Sequence, residues 1–202
     1  VLVNDASPEP KLAEYCREIS ADCGFHLIEH ETNLGFVKSV NEGMREAGQA
    51  DVVILNSDTE VPAGWLDRIA TIAYAHPRAA SITPFSNNAT ICSYPLFCAD
   101  NPIASGHDVN SLDKLFSSAN AGEVVELPTG VGFCMYLRRA ALDEIGDFDE
   151  AGYEGNLYLT INGHLYGSLY IRHDTNAAHP TITLGQYDPA AGQWEPRNEI
   201  GP

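Results

Sequence analysis

The chain has 202 residues, of which 44% are hydrophobic, enough to bury a core in one domain with a small appendage and too apolar for a disordered chain. Its 28 acidic residues against 11 basic ones give a net charge of -17, which excludes a general affinity for nucleic acid or anionic lipid, because phosphate backbones need clustered Lys and Arg. An acidic chain that handles a phosphorylated ligand is expected to recruit a divalent cation, although the same acidity also serves plain solubility.

Five cysteines, Cys16, Cys23, Cys92, Cys98 and Cys134, form no CxxC pair, and Cys16 and Cys134 fall in apolar patterns that predict buried thiols. A reduced, cytoplasmic setting follows, including the inner membrane face. No apolar run reaches transmembrane length. The opening "VLVNDAS" reads as the end of a strand, which suggests a piece of a longer chain.

From residue 1 to about 150, apolar bursts alternate with helical periodicity. After "VLV", Leu12, Cys16 and Ile19 recur at helical spacing, with Pro10 suited to a first turn. "FHLIEHE" predicts a strand, then Val37, Val40, Met44 and Ala47 one helical face closed by Gly48. "DVVILN" is a strand without alternation, as befits one covered on both faces. Trp65, Ile69 and Ile72 mark a helix with Pro62 near its start, "AASITPF" a further strand, "DVNSLDKLFSSANAG" a helix, and "VGFCMYLRRAALDEIG" a strand running into a helix. This alternation predicts an α/β fold with a mostly parallel sheet flanked by helices.

Ligands of such sheets bind at the carboxyl ends of the strands. The first strands here end in Asn4 and Asp5, in Asn33 after a short loop, and in Asn56 and Asp58, so Asp5 and Asp58 are expected on one rim. Each has a bland alternative. Asp5 and Asp58 suit turns or helix caps, and Asn33 with Gly35 suits a simple turn. After about residue 150 the pattern changes. "NLYLTINGHLYGSLYIRH" alternates on a period of two around Asn162-Gly163, which predicts a hairpin and a β-rich extension over residues 151–202.

In order and spacing, "VNDAS", "NLGFVKSVNEGM", "VVILNSDTEVPAGWLDRI", "ITPFSNNATICSYP" and "TGVGFCMYLRRAALDEIGDFDE" resemble the family 2 glycosyltransferases of GT-A (Rossmann-like) fold, in the rhamnosyltransferase-like branch of bacterial surface-polysaccharide enzymes. The resemblance covers residues 1–150, taken as a nucleotide-sugar-binding domain, incomplete at its N-terminus. It implies inverting transfer of a hexosyl-type sugar from a nucleotide-sugar donor to a glycan or lipid-linked acceptor. It also implies that Asp5 contacts the nucleobase and that Asn33, Gly35, Asn41 and Asn56 belong to the nucleotide site. The family's DXD motif matches Asn56-Ser57-Asp58, with Asp58 holding Mg²⁺ or Mn²⁺. Such an ion offsets the charge that develops on the leaving diphosphate.

Asn87 and Asn88, in a polar loop, suit sugar hydroxyls, and Thr129 and Gly130 match the strand that approaches the donor sugar, where small residues allow close contact. Lys38 suits an exposed helix lysine better than a phosphate contact, and Arg138 and Arg139 suit a solvated pair as well as an acceptor or phosphate site. His107, His164, His173 and His179 fit no zinc spacing.

Two features depart from the family. Its usual opening strand is lacking, and its paired-carboxylate motif after "GDFDE" is replaced by "AGYEGNLYLTING". Glu154 is then the nearest candidate for the base that deprotonates the acceptor, with Asp149 and Glu150 behind it. A non-catalytic nucleotide-sugar or glycan-binding module is the rival reading. A nucleotidyltransferase lacks support, for want of a Gly-rich, basic loop.

Overall fold

The computed structural model describes residues 1–150 apart from residues 121 and 128, together with five strand segments between residues 159 and 200. The chain divides into two compact units, one made of Val1–Ala50 and Glu144–Pro202, the other of Asp51–Asp143.

In the first unit, β1 (Leu2–Asn4) pairs in parallel with β2 (Leu27–Glu29), with Asn4 opposite Glu29. Between them runs α1 (Pro10–Cys23), with Pro10 in its first turn and Gly24 closing it at φ 69°. Proline suits the first turn because its missing N–H would lack a helical partner there anyway. α2 (Phe36–Glu46) follows β2 and buries Ser39, Asn41 and Met44. Cys16 is buried on α1, as its apolar pattern predicts.

Beyond residue 150, β6 (Leu159–Ile161) and β7 (His164–Tyr166) pair antiparallel with Ile161 opposite His164. That is the pairing predicted by the alternation; the turn residues Asn162 and Gly163 themselves lie outside the described residues. β8 (Leu169–Ile171), β9 (Ile182–Asp188) and β10 (Gln193–Ile200) form a separate antiparallel sheet in the order β10-β9-β8.

In the second unit, β3 (Val52–Leu55), β4 (Ser81–Ile82) and β5 (Cys134–Leu137) form a sheet in the order β3-β5-β4. β5 is antiparallel to both neighbours, so β3 and β4 run the same way on either side of it. Strand periodicity carries no sign of direction, and this inserted antiparallel strand is visible only in the pairing. All four residues of β5 are buried.

α3 (Trp65–Ala75) lays Ile69 and Ala73 against Cys134 and Tyr136, with Val53, Trp65, Ile82 and Phe133 around them. α4 (Val109–Ala119) starts at a capping box in which Asp108 accepts the Ser111 amide and the Ser111 hydroxyl faces the Asp108 backbone. Its Phe116 packs on Phe85 and Tyr94, all three ring centroids 5.2 Å apart. α5 (Arg139–Ile145) follows β5. The helices and the mixed parallel and antiparallel strands make this an α/β chain.

Candidate functional site

The parallel register of β1 and β2 delivers Asp5 and His30 side by side, each one residue past its strand, and the His30 amide continues the ladder to the Asn4 carbonyl at 3.0 Å. The local turn that a sequence reading assigns to Asp5 is made by its neighbour, since Asn4 Oδ1 accepts the Ser7 amide at 3.1 Å. Asp5 works at long range. Its Oδ1 accepts the Leu34 amide at 2.7 Å and its Oδ2 the Gly35 amide at 2.9 Å, while its backbone carbonyl accepts Asn33 Nδ2 at 3.1 Å.

The carboxylate therefore fixes the loop that leads into α2, near the positive end of that helix. Gly35, the N-cap, has no side chain to do so, and it adopts φ 89° and ψ 160°, a region essentially restricted to glycine. A Cβ there would meet nothing within 4 Å, so the requirement for glycine is conformational, not steric. Structure thus brings Asp5, Asn33 and Gly35 together. Burial raises the Asp5 pKa, but the Leu34 amide, His30, the Gly35 amide and Ser39 together outweigh it and hold the carboxyl below its ordinary value.

Two residues that sequence reading passed over complete this cluster. His30 Nδ1 lies 2.7 Å from Asp5 Oδ1, and its Nε2 lies 2.7 Å from Glu42 Oε2, with only 7% of the imidazole side chain exposed. Hydrogen bonds to Asp5 and to Glu42 raise its pKa above the ordinary value. The only sequence signal is that His30 falls near the end of the predicted strand "FHLIEHE"; its partners lie 25 and 12 residues away.

Asn41 is fully buried and its amide is committed to the chain itself: Nδ2 donates to the Phe148 carbonyl at 2.8 Å and to Glu150 Oε1 at 3.0 Å, and Oδ1 accepts the Phe148 amide at 3.0 Å. One turn later Arg45 donates from Nε to Asp147 Oδ2 at 2.9 Å and from Nη2 to Glu150 Oε1 at 3.3 Å. α2 thus clamps the "GDFDE" segment, so Asn41 presents no free amide to a nucleotide. Glu150, foremost through the Asn41 amide, has its pKa lowered. Asp149 is exposed beside this clamp, and Glu154 lies outside the described residues.

In the second unit, β3 ends at Leu55 and the Asn56 amide donates to the Phe133 carbonyl at 2.9 Å, carrying the β3–β5 ladder one residue further. Thr59 closes the turn, its amide donating to the Asn56 carbonyl at 3.1 Å. Asp58 is exposed within this turn and makes no hydrogen bond or ion pair with another described residue. It does not cap α3. That helix begins at Trp65 after an N-cap at Gly64, with no side-chain cap bond. Asp51, at the opposite end of β3, is a structural hub that accepts Tyr74 Oη at 2.7 Å, Tyr136 Oη at 2.5 Å and the Arg139 amide at 2.7 Å.

Asn87 and Asn88 are exposed on a loop organised from within by buried Asn101, whose Nδ2 reaches the carbonyls of Asn87 at 3.1 Å and of Leu96 and Ala99 at 3.0 Å each. Gly130 is closely packed. A Cβ there would lie 2.9 Å from Met135 Cε and 3.3 Å from both Ser81 Oγ and Thr83 Oγ1. Neighbouring Thr129 donates from Oγ1 to the Gly130 carbonyl at 3.3 Å. Arg138 is spent on the chain, with Nη1 donating to the Pro77 carbonyl at 2.9 Å and the guanidinium over the Tyr74 ring at 5.1 Å. Among the described residues no group of three or more His, Cys, Asp or Glu side chains is placed to hold a metal ion, and no helix is long and apolar enough to cross a membrane.

The model of the glycosyl transferase family 2 matches residues 1–146, and the chain belongs to that family. Neither the comparison with curated proteins nor that with solved structures gave a match. Membership makes glycosyl transfer the general activity, with a nucleotide-sugar and an acceptor as the substrate classes.

Proposed function

We propose that the chain moves a hexosyl group, with inversion, from a nucleotide-sugar donor to a glycan or lipid-linked acceptor, in the manner of the rhamnosyltransferase-like branch. In the transfer, the acceptor oxygen forms its bond to the anomeric carbon as the bond to the nucleoside diphosphate breaks on the opposite face. A carboxylate takes the hydroxyl proton, and the electron pair of the broken bond leaves with the diphosphate. Asp149 and Glu154 are the residues we assign to that base. Asn87, Asn88, Thr129 and Gly130 are assigned to sugar and acceptor, and Asp5, Asn33, Gly35 and Asn56 to the nucleotide.

The observation that carries this reading is Asp58, an exposed carboxylate at the carboxyl end of β3 that caps no helix and has no partner among the described residues. A lone carboxylate fits a Mg²⁺ or Mn²⁺ ion only when the donor's phosphates and water supply the other oxygens, which is how Mg²⁺ is commonly held. Such an ion would supply charge stabilisation to the leaving diphosphate.

Calorimetry tests this. UDP or dTDP should bind more tightly with Mn²⁺ or Mg²⁺ than without, and Asp58→Asn should abolish that gain. Binding that ignores both the metal and the substitution would remove Asp58 from metal work.

A further inference from the structure

His30 sits between two carboxylates, and the geometry decides its charge. A neutral imidazole carries one N–H, so it can donate to only one of two ionised acceptors, whereas an imidazolium donates from both nitrogens. Here Nδ1 and Nε2 each lie 2.7 Å from a carboxylate oxygen, of Asp5 and Glu42 respectively. Asp5, from the end of β1, and Glu42, on α2, are the charged groups that face the ring among the described residues. Glu29, the residue before it, is turned to Arg17 at 2.9 Å.

The bridge is thus built on the imidazolium form, and it joins the residue that fixes the Asn33–Gly35 loop to the helix that the loop starts. Losing the proton from Nδ1 would set the ring lone pair against Asp5 Oδ1, the oxygen that also holds the Leu34 amide at 2.7 Å. Losing it from Nε2 would do the same to Glu42.

We propose that His30 is a positioning residue for the donor nucleotide: bridging Asp5 and Glu42 as an imidazolium, it holds the Asn33–Gly35 loop in the form that receives the nucleotide, so that affinity is tied to the protonation of His30. This rests on assigning that loop to nucleotide binding. It predicts that affinity is full while the ring is charged and falls as pH rises through the His30 pKa, which its two acceptors hold above the ordinary value.

The test uses the full chain and UDP with Mn²⁺. Heteronuclear NMR of the imidazole nitrogens gives the His30 midpoint, and calorimetry gives Kd over the same pH range. Affinity should drop about tenfold across that midpoint, as expected for loss of one charge-assisted hydrogen bond. Glu42→Gln keeps the shape and removes one anion, so the NMR midpoint and the affinity midpoint should move down together.

Thermal unfolding of both proteins below the lower midpoint controls for folding. If Glu42→Gln fails there, Glu42→Asp, which keeps the anion and retracts it, should shift both midpoints in the same direction. Two results overturn the proposal alone: an affinity profile that stays flat across the NMR midpoint, or one that stays put while the NMR midpoint moves. If wild type binds no nucleotide at any pH, the nucleotide reading of the loop falls with it, whereas the two N–H signals would still report the bridge.

Discussion

At the scale of single residues, the acidic side chains that look alike in the sequence do different physical work. Asp58 and Asp51 stand at opposite ends of β3. Asp51 accepts three hydrogen bonds, including one from the hydroxyl of Tyr136, itself 5% exposed. Burial raises the Asp51 pKa, but the Arg139 amide and the two tyrosine hydroxyls outweigh it and bring it below the ordinary value. Asp51→Ala would strand a buried phenol and should cost about 2–3 kcal/mol in urea unfolding. Asp58→Ala strands nothing and should stay within about 0.5 kcal/mol, because a surface position away from a cap or core is nearly neutral. A loss near 1 kcal/mol at Asp58 would restore the capping role that Gly64 holds in this structure. Gly35→Ala should cost about 1–3 kcal/mol for its backbone conformation alone, and denaturant melts read this directly. A neutral result there would mean that the loop before α2 relaxes freely.

At the scale of elements, α2 does more than pack. Its N-terminus is set by Asp5, its middle by Asn41 on Phe148 and by Glu42 on His30, and its last turn by Arg45 on Asp147 and Glu150. The family resemblance gave Asn41 to the nucleotide pocket, and the structure spends it on Phe148. Asn41→Ala would leave the buried amide and carbonyl of Phe148 without their side-chain partner, so a loss of about 2–4 kcal/mol is expected in unfolding. An effect on nucleotide affinity with no loss of stability would return Asn41 to the ligand. α4 shows the opposite case, a helix whose start is written locally in Asp108 and Ser111.

At the scale of the whole molecule, pH dependence follows from groups shifted in opposite directions. Asp5, Asp51 and Glu150 have lowered pKa values, so what they contribute is present above the unfolded carboxylate range and is lost as pH falls through their folded values. His30 has a raised value, so its contribution is complete below its unfolded pKa and is lost as pH rises through the folded one. The net charge of -17 adds self-repulsion as pH rises. Melting temperature should therefore peak between about pH 4 and 6.5, the unfolded carboxylate and imidazole values. A maximum above pH 8 in scanning calorimetry would show that these shifts do not govern stability.

The sequence by itself determined what depends on near neighbours. Sequence pattern located the five α-helices described within residues 1–150, Pro10 marked the first turn of α1, and the apolar patterns around Cys16 and Cys134 predicted two buried thiols. It also carried the ordered motifs by which the family was recognised. What only the tertiary structure decided depends on residues far apart in the chain. The antiparallel insertion of β5 between β3 and β4 is invisible because a strand's side-chain period is the same in either direction. Asp5 reads locally as a turn residue, yet its acceptors' partners lie 25 to 30 positions away. Asn41 meets Phe148 across 107 positions, and the charge of His30 exists only because two carboxylates reach it from separate elements. A hydrogen bond is a matter of distance and direction in space, and residue type alone fixes neither.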